Sequence, residues 1–393
     1  YLIPKPFDPR VLTREALAVA RAAVETGVAR EPITDWDAYH DQLERMLGAE
    51  RGMMRRLIHQ AQQEPKRVVF AEGSDPKVLR AAQIIIDEGI ASPILLGEPA
   101  EVEAARENLG LTLDGAEVVH PASSPQLDSF VDSYLRLRWR KGIMPEDARR
   151  DMKSRSHFGP MMVRQGLADV FISGQTRYYP DAIRPMLRVM SDRTGGKTVA
   201  AAHVIIKDGR SFIMADTSVN IDPGVDQLAD IAEGVHALAL ELGLAPRIAL
   251  LSYSTYGSVK SPSSTKMRRA AELIQERHPG WEVDGELQAD VAVEDGLSAD
   301  FPLSRLSGAA NCLIFPNLDS ANIVYRLLRS LGGLTMVGPI LTGINAPMHI
   351  LQRGSSVDDI VHIVSVGVVQ AGQTGSHDDQ HGQPRIAAVA GPR

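Results

Sequence analysis

Apolar, strand-like runs alternate with amphipathic helical segments along most of the chain. The clearest unit starts with the apolar run at residues 67–71. Asp75 and Pro76 follow it, an N-cap residue and a proline suited to the first helical position. Apolar residues at helical spacing come next, Gly89 is a typical helix end, and residues 93–97 form another strand. This order predicts a βαβ unit.

The same alternation recurs further along the chain and predicts doubly wound parallel sheets. A length of 393 residues is enough for two domains of ordinary size. Further strands are predicted at residues 170–172, 198–206, 212–214, 247–251, 312–315 and 336–337 and in the run after Gly338. The predicted fold class is therefore α/β.

The two ends of the chain depart from this pattern. Residues 1–50 combine a proline-rich start with helical segments, which predicts a short helical linker. The chain starts with Tyr1 rather than Met, and we expect it to be a fragment of a longer polypeptide. From Gln370 onward Gly, Gln, Asp, His and Pro predominate, which predicts a flexible tail. Its histidines and aspartates lack a rigid scaffold, so no metal site is predicted there.

Composition and charge argue against several classes of function. The chain is 44% hydrophobic and 23% charged, as is typical of globular proteins, and its net charge of −7 argues against nucleic-acid binding. No apolar run reaches the ~18 residues that a membrane helix needs, so no membrane association is expected. The one cysteine, Cys312, lies in an apolar run and fits a small buried residue. A disulfide framework is impossible within the chain, and we expect a cytoplasmic location.

A polar loop at residues 252–264 follows the strand predicted at 247–251. It carries several hydroxyl groups, including those of Ser254 and Ser258, together with a glycine and Lys260. Open α/β sheets bind ligands at the carboxyl ends of their strands, and these donors suit phosphate or pantetheine amides. The alternative is a polar loop that only supplies a serine helix cap. Neither a P-loop nor a Gly-x-Gly-x-x-Gly fingerprint is present.

The most informative joint lies near the end of the chain. An apolar strand enters a Gly- and Pro-punctuated loop at residues 338–347, and the next segment brings Arg353 and Asp359 to the start of a helix. Such a joint presents a cation and backbone N–H groups to an anionic ligand. Asp359 also fits a capping box with Ser356, which is a structural role.

Four more side chains have both functional and structural interpretations. Arg138 and Arg184 lie beside loops and would complete a phosphate cradle with Arg353 if the fold brings them together. Each arginine alone fits a solvated surface position. Asp284 and Glu286 flank a glycine, and their pattern fits acid–base chemistry or metal binding. Alternatively the acidic segment is structural, and Asp290 caps or stabilises the helix at residues 291–293.

Several segments, taken in order over some 300 residues, resemble phosphate acetyltransferases. Besides the joint at residues 338–347, the matching segments are residues 69–73, 158–162, 183–185, 250–254, 284–288 and 314–318. Residues 2–10 resemble the end of the catalytic domain of a bacterial malic enzyme. The combination resembles hybrid NADP-dependent malic enzymes, whose C-terminal half is a phosphate-acetyltransferase-like domain.

The resemblance implies two α/β domains with a cleft between them. Residues 1–52 would be a linker and helices from the end of the malic enzyme domain. A discontinuous domain would comprise residues 53–196 and 338–370, around an inserted domain at 197–337. Residues 371–393 would form the flexible tail.

The resemblance also implies roles for individual residues. Members of the family move an acetyl group between coenzyme A and phosphate. Asp359 matches the aspartate thought to help form the thiolate, and Arg353, Arg138 and Arg184 match the arginines that hold the acyl carbonyl and phosphate. We expect these residues, with Ser254, Ser258 and Lys260 of the polar loop, to bind acetyl-CoA or phosphate.

Two departures from the family bear on catalysis. Gln352 stands where the family has a serine directly before the arginine, and Gln175-Thr176-Arg177-Tyr178-Tyr179 replaces a segment of small residues with His and Ser. Loss of one placed donor to a tetrahedral intermediate typically costs ~10²–10³ in rate. We therefore expect a cleft that still binds acetyl-CoA but transfers acetyl groups poorly or not at all.

The sequence leads to three hypotheses. The first is an acetyl-CoA-sensing regulatory domain of a hybrid malic enzyme, feedback-inhibitory and assembled as a homo-oligomer. NADP and a divalent metal would then bind only in the upstream malic enzyme domain. The second is an active phosphate acetyltransferase that tolerates Gln352. The third is a structural oligomerisation module with a vestigial cleft.

Overall fold

A computed structural model describes residues 9–29, 31–36, 39, 43, 49–192, 194–207, 209–296, 300–332 and 334–378. The helices are α1 Pro9–Glu25, α2 Ala49–Gln63, α3 Pro76–Asp87, α4 Pro99–Leu109, α5 Leu127–Arg138, α6 Pro145–Met152, α7 Arg155–Arg164, α8 Tyr179–Val189, α9 Val225–Glu241, α10 Pro262–Arg277, α11 Ala289–Val293, α12 Leu318–Leu331 and α13 Val357–Asp378. Single 3₁₀ turns occur at Pro121–Ser123 and Trp139–Lys141.

The strands form two sheets, and the α/β fold class predicted from the sequence is confirmed. The strands are β1 Lys66–Phe70, β2 Ala91–Leu96, β3 Glu117–Val119, β4 Val170–Ser173, β5 Ala200–Lys207, β6 Arg210–Ala215, β7 Arg247–Leu251, β8 Glu282–Leu287, β9 Cys312–Ile314, β10 Thr335–Thr342 and β11 Met348–Ile350. The five-stranded sheet has the order β11-β4-β1-β2-β3, and the six-stranded sheet has the order β10-β5-β6-β9-β7-β8.

The five-stranded sheet is parallel throughout, as the βαβ pattern predicts. The predicted helix start is also confirmed, because the Asp75 carboxylate accepts from the backbone N–H groups of Lys77 and Val78 at 2.9 and 3.2 Å. Gly89 follows α3 with φ +66°, the left-handed conformation typical of a helix end. These signals place the carboxyl end of β1 and the N-terminus of α3 at one edge of the sheet.

The six-stranded sheet is mixed, which corrects the prediction of parallel sheets throughout. β6, β9, β7 and β8 are parallel, but β5 pairs antiparallel with both β6 and β10. Lys207 and Arg210 pair across the β5–β6 hairpin. The sequence at 208–209 is Asp-Gly, a dipeptide typical of two-residue hairpins. That local signal explains the reversal.

The structure also corrects the predicted number of strands around Gly338. The strands predicted at 336–337 and after Gly338 form one strand, which pairs with β5 through Thr342 and has an irregular register between Val337 and Ile340. Residues 340–342 therefore pair in the six-stranded sheet, although the sequence analysis grouped them with the other domain. The division of the chain into domains stays a prediction.

The C-terminal helix packs across both halves of the fold. α13 contacts α2, α3, β1, β4 and β10, so one apolar core includes residues of both sheets. α13 continues to Asp378, so residues 371–378, which the sequence analysis assigned to the flexible tail, are helical. Residues 1–8 and 379–393, where the rest of the tail prediction and most of the 2–10 match fall, lie outside the described residues.

Two smaller predictions also have outcomes. Cys312 is fully buried, as predicted, and burial raises the pKa of its thiol to about 12. Within the described ranges, no helix has both the length and the apolar character needed to cross a membrane.

Candidate functional site

The loop after β11, residues 351–356, is anchored to the five-stranded sheet at the end of β4. The backbone N–H of Leu351 donates to the carbonyl of Ser173 at 2.7 Å. Gly174 has φ +108°, and a Cβ atom there would lie 2.5 Å from the Leu351 carbonyl oxygen. Only glycine permits this approach of the two backbones, so the joint depends on Gly174.

Two side chains of the five-stranded half hold the middle of this loop. Lys77 Nζ donates to the carbonyl oxygens of Gly354 and Ser355 at 3.2 and 2.9 Å. Gln175 Nε2 donates to the same Ser355 carbonyl at 3.1 Å. The loop is thus fixed against the N-terminus of α3 and the segment after β4.

An open depression of about 440 Å³ lies at this junction. Arg353 is exposed on its wall, and its guanidinium carbon lies 5.2 Å from the centroid of the Tyr178 ring. The exposed Arg353 guanidinium suits an anionic ligand. The first N–H groups of α3 are already capped by the Asp75 carboxylate, and Lys77 Nζ is bound to the loop carbonyls. The lining residues are Asp75, Pro76, Lys77, Gln175, Thr176, Arg353 and Gly354.

Gln352 lies at the start of the same loop and points to the six-stranded half. Its amide Nε2 donates to the Tyr325 hydroxyl at 2.9 Å and lies 3.2 Å from Nε2 of His203. Its Oε1 accepts from Arg329 Nη1 at 2.9 Å. Sequence reasoning missed these three partners, which lie between 23 and 149 residues away along the chain.

Asp359 takes the structural role that its spacing predicted. Its carboxylate accepts from the Ser356 backbone N–H at 2.9 Å, and its own N–H donates to the Ser356 hydroxyl at 3.1 Å. The capping box at the start of α13 is therefore confirmed. Arg329 Nη2 lies 4.0 Å from the Asp359 carboxylate, so one arginine approaches both ends of the loop.

Glu72 is a buried carboxyl group at the carboxyl end of β1 that sequence reasoning did not select. It accepts from the Ser173 hydroxyl at 3.1 Å and from the Gly174 N–H at 3.2 Å. Burial raises the pKa of Glu72, against the effect of these hydrogen bonds and of nearby Arg177 and Arg155. Its position two residues after a buried strand was the sequence signal that could have identified it.

The other predicted arginines do not join the depression through contacts among the described residues. Arg138 ends α5, is partly buried, and its Nε has no hydrogen-bond partner there. Arg184 is exposed on α8. Their roles in ligand binding stay predictions, since the contacts neither join them to Arg353 nor exclude a shared ligand.

The polar loop after β7 is organised by a buried carboxylate. The Ser254 hydroxyl donates to Glu286 Oε1 at 3.0 Å, and the Gly257 N–H donates to the same oxygen at 2.8 Å. Ser258 lies 3.2 Å from Ser254, hydroxyl to hydroxyl. Lys260 is exposed and has no hydrogen bond or ion pair to another described residue. The two serines thus stabilise the loop, and Lys260 remains available to a ligand.

The acidic pair at 284 and 286 has clear structural contacts. Asp284 Oδ2 accepts from the Tyr256 hydroxyl at 2.8 Å, the Ser304 hydroxyl at 3.0 Å and the Arg305 N–H at 2.8 Å. Glu286 holds the loop after β7 in the same way. Over the described ranges, no group of three or more His, Cys, Asp or Glu side chains is arranged to hold a metal ion.

Comparison with known proteins gives this geometry a family context. The family model described as "Phosphate acetyl/butaryl transferase" matches residues 52–368. An NADP-dependent malic enzyme from Salmonella typhimurium is 39% identical over 381 residues, which are 95% of this chain and 50% of that protein. A phosphate acetyltransferase from Thermoanaerobacterium thermosaccharolyticum is 36% identical over 323 residues, which are 80% of this chain and 98% of that protein.

Solved structures agree with the sequence relatives. A phosphotransacetylase from Streptococcus pyogenes has a TM-score of 0.78 and 33% identity, and the match covers 82% of this chain and 99% of that chain. The chain spans about half the length of the curated malic enzymes that it matches.

Proposed function

This chain belongs to the phosphate acetyl/butaryl transferase family, and from that membership we propose that it is an acetyl-CoA-binding regulatory domain of an NADP-dependent malic enzyme. The domain binds acetyl-CoA at the Arg353 depression and does not transfer its acetyl group. Malic enzyme converts malate to pyruvate, a precursor of acetyl-CoA, so inhibition by acetyl-CoA is feedback. The malate, NADP and divalent-metal sites belong to the upstream domain.

The state of the Gln352 amide carries this proposal. An amide nitrogen has two hydrogens, and Nε2 of Gln352 directs them to His203 and Tyr325 inside the protein. No donor is left at this position for an acyl oxygen that becomes negatively charged during transfer. Arg353 stays exposed beside the depression, and this supports the binding of an anion. The donor that transfer requires is the one missing at position 352.

The segment after β4 supports the same conclusion. Gln175 and Tyr178 replace small residues of the family, and both act on the loop after β11. Gln175 donates to the Ser355 carbonyl, and the Tyr178 ring lies beside the Arg353 guanidinium. Larger side chains therefore occupy the phosphate side of the site, which disfavours a second substrate next to acetyl-CoA.

Self-association in the cytoplasm is part of the proposal. α12 has three exposed apolar side chains at intervals of four residues: Ile323 is 57% exposed, Leu327 52% and Leu331 82%. Two copies of such a stripe, related by a two-fold axis, bury each other's apolar surface. Light scattering tests this contact: Leu327→Asp is expected to halve the molar mass, and an unchanged mass argues against it.

Two substitutions test the site itself. Arg353→Ala is expected to weaken acetyl-CoA binding by about tenfold or more, because a charge-assisted contact is lost. Unchanged affinity means that the ligand is placed wrongly. Gln352→Ser is expected to raise acetyl transfer by up to ~10²-fold, and no gain weakens the claim that chemistry was lost at this position.

The family also contains active transferases, and this favours an alternative function. If the unmodified chain transfers acetyl groups at an enzymatic rate, it is a phosphate acetyltransferase that tolerates Gln352. If the unmodified chain binds no acetyl-CoA, a structural oligomerisation module becomes the better explanation. Both results overturn the regulatory proposal.

A further inference from the structure

Gln352 joins the two halves of the fold with a single side chain. Its backbone lies in the loop between β11 and α13, next to the five-stranded sheet. Its three side-chain partners lie on β5 and α12 of the six-stranded half: His203, Tyr325 and Arg329. Tyr325 and His203 are 1% and 2% exposed, so the bonds to these two residues lie away from bulk water, whereas the bond to Arg329 is exposed.

The hydrogen positions in this network follow from the neighbouring residues. The Thr217 hydroxyl donates to the Ala201 carbonyl at 3.0 Å, so it accepts from Nδ1 of His203 at 2.8 Å. Nε2 of His203 then carries no hydrogen and accepts from the Gln352 amide. This assignment also orients the amide, because its oxygen faces the Arg329 guanidinium.

His203 stays neutral in this arrangement. Burial, followed by the positive charges of Arg329 and Arg326, lowers the pKa of His203 to about 3. Its ring stacks on Tyr325 with 4.3 Å between centroids and an interplanar angle of 16°. A neutral imidazole keeps the Nε2 lone pair that accepts from Gln352, so the network persists at neutral pH.

The other side of the same loop is held by the five-stranded half. Lys77 and Gln175 donate to the carbonyls of Gly354 and Ser355. Arg353 lies between these anchors and Gln352, so its backbone position depends on both halves. Any shift of α12 relative to α3 must therefore move the Arg353 loop or break one set of bonds.

We propose that Gln352 is a latch that couples the Arg353 ligand site to α12. This inference rests on the proposed binding of acetyl-CoA for its ligand, although the latch itself is a property of the free protein. Gln352 is a positioning residue: it does not contact the ligand but sets where Arg353 stands relative to the six-stranded half. Ligand binding at Arg353 is transmitted to Tyr325 and Arg329 through this amide.

The first test needs no ligand. Gln352→Met keeps the length of the side chain and removes its hydrogen bonds, and Gln126→Met is the control because Gln126 is exposed. Trypsin cleavage after Arg353 is expected to become roughly tenfold faster in Gln352→Met, since lost hydrogen bonds lower the cost of local opening. His203→Phe should add little to Gln352→Met. Equal cleavage rates in Gln352→Met and Gln126→Met overturn the latch.

The second test asks whether the latch transmits binding. Amide hydrogen exchange of α12 is measured with and without saturating acetyl-CoA. In the unmodified chain, acetyl-CoA is expected to slow exchange around Tyr325 and Arg329 severalfold, and Gln352→Met should abolish this protection. If acetyl-CoA still protects α12 in Gln352→Met, the coupling is overturned. A residue that only stabilised the loop would leave this ligand-dependent protection unchanged when replaced.

The two tests separate the latch from the proposed function. Failure of the unmodified chain to bind acetyl-CoA overturns the proposed function and the ligand coupling together. The cleavage comparison then still decides whether Gln352 holds the loop. Faster cleavage supports the latch in the free protein, and unchanged cleavage rejects it.

Discussion

The loops after β7 and after β11 look alike in sequence and differ in what they hold together. Both follow strand ends, and both direct short polar side chains inward and leave one cation exposed. In the first loop Ser254 donates to Glu286 on the adjacent strand β8, so its bonds stay within one sheet. In the second loop Gln352 reaches the other half of the molecule.

This difference shows how to interpret polar loops at strand ends. Hydroxyl and amide groups predict a ligand site only if the fold leaves their donors unused. In both loops these polar side chains already form hydrogen bonds within the protein. The exposed Arg353 and Lys260 are the groups available to an anion. Only the loop after β11 connects its cation to both halves, and this makes it the better candidate for regulation.

Among the substitutions that test this comparison, Gly174→Ala is expected to lower the free energy of unfolding most. A Cβ at this position meets the Leu351 carbonyl at 2.5 Å, so the backbone of the β11 loop must move. We expect the free energy of unfolding to fall by about 3 kcal/mol, from strain at positive φ and from the clash. Gly142→Ala is the matched control, because Gly142 also has positive φ but no atom within 4 Å of its added Cβ.

Urea unfolding measures both glycine variants. The control is expected to lose about 1 kcal/mol. If both variants lose the same amount, the close approach between the ends of β4 and β11 is not what holds the loop.

Glu286→Ala tests the loop after β7. Glu286 is 1% exposed, and its loss leaves the Ser254 hydroxyl and the Gly257 N–H without their acceptor. We expect a loss of about 2 kcal/mol in the free energy of unfolding and faster trypsin cleavage after Lys260. Glu294→Ala, at an exposed position, is the control. A stability equal to this control contradicts the organising role of Glu286.

The pH dependence of the free energy of unfolding tests whether His203, the partner of Gln352 in the loop after β11, is neutral. The folded protein keeps His203 neutral down to a pKa of about 3, against 6.5 for an ordinary histidine, chiefly because of burial. Below pH 6.5 the unfolded state therefore binds a proton that the folded state excludes. Stability falls as the pH falls, by about 1.4 kcal/mol per pH unit from this residue.

His203→Phe removes this contribution. Between pH 6 and 4.5 its free energy of unfolding should change less steeply with pH than that of the unmodified chain, by about 1.4 kcal/mol per unit. Urea unfolding at several pH values gives the slopes, and His59→Phe at an exposed position is the control. Parallel slopes for His203→Phe and the unmodified chain contradict a neutral, buried His203.

Tyr178→Ala is expected to have the smallest effect. The Tyr178 ring lies 5.2 Å from the Arg353 guanidinium and is 68% exposed, a contact of modest strength. Its removal frees Arg353, and we expect acetyl-CoA affinity to rise by about threefold. Trp36→Ala is the control, because the Trp36 ring also lies beside an arginine, Arg21, at 5.4 Å but belongs to neither candidate ligand loop. A loss of affinity in Tyr178→Ala means that the ring itself contacts the ligand.

Local features were predictable from the sequence. The Asp75 cap, the Gly89 helix end and the Ser356–Asp359 capping box each involve residues within a few positions of one another, and the structure confirms them. The antiparallel strand β5 was also within reach, since Asp-Gly at 208–209 is a hairpin signal. It was not predicted because the alternating βα pattern indicated parallel strands throughout.

Long-range contacts were not predictable in this way. His203 stands alone in an apolar strand, and nothing near it indicates that it accepts from Gln352, 149 residues away. The inward orientation of Ser254 likewise depends on Glu286, which comes from another strand. A single sequence gives residue types and their spacing. Whether a hydrogen-bond donor already has an acceptor depends on how distant segments pack.

The central claim is that this chain binds acetyl-CoA without transferring its acetyl group. Calorimetric titration of acetyl-CoA into the protein in arsenate buffer tests it most directly, because acetyl transfer to arsenate is irreversible. The account predicts a saturable binding heat that returns to baseline after each injection. Sustained heat after each injection, from continuing turnover, would contradict it.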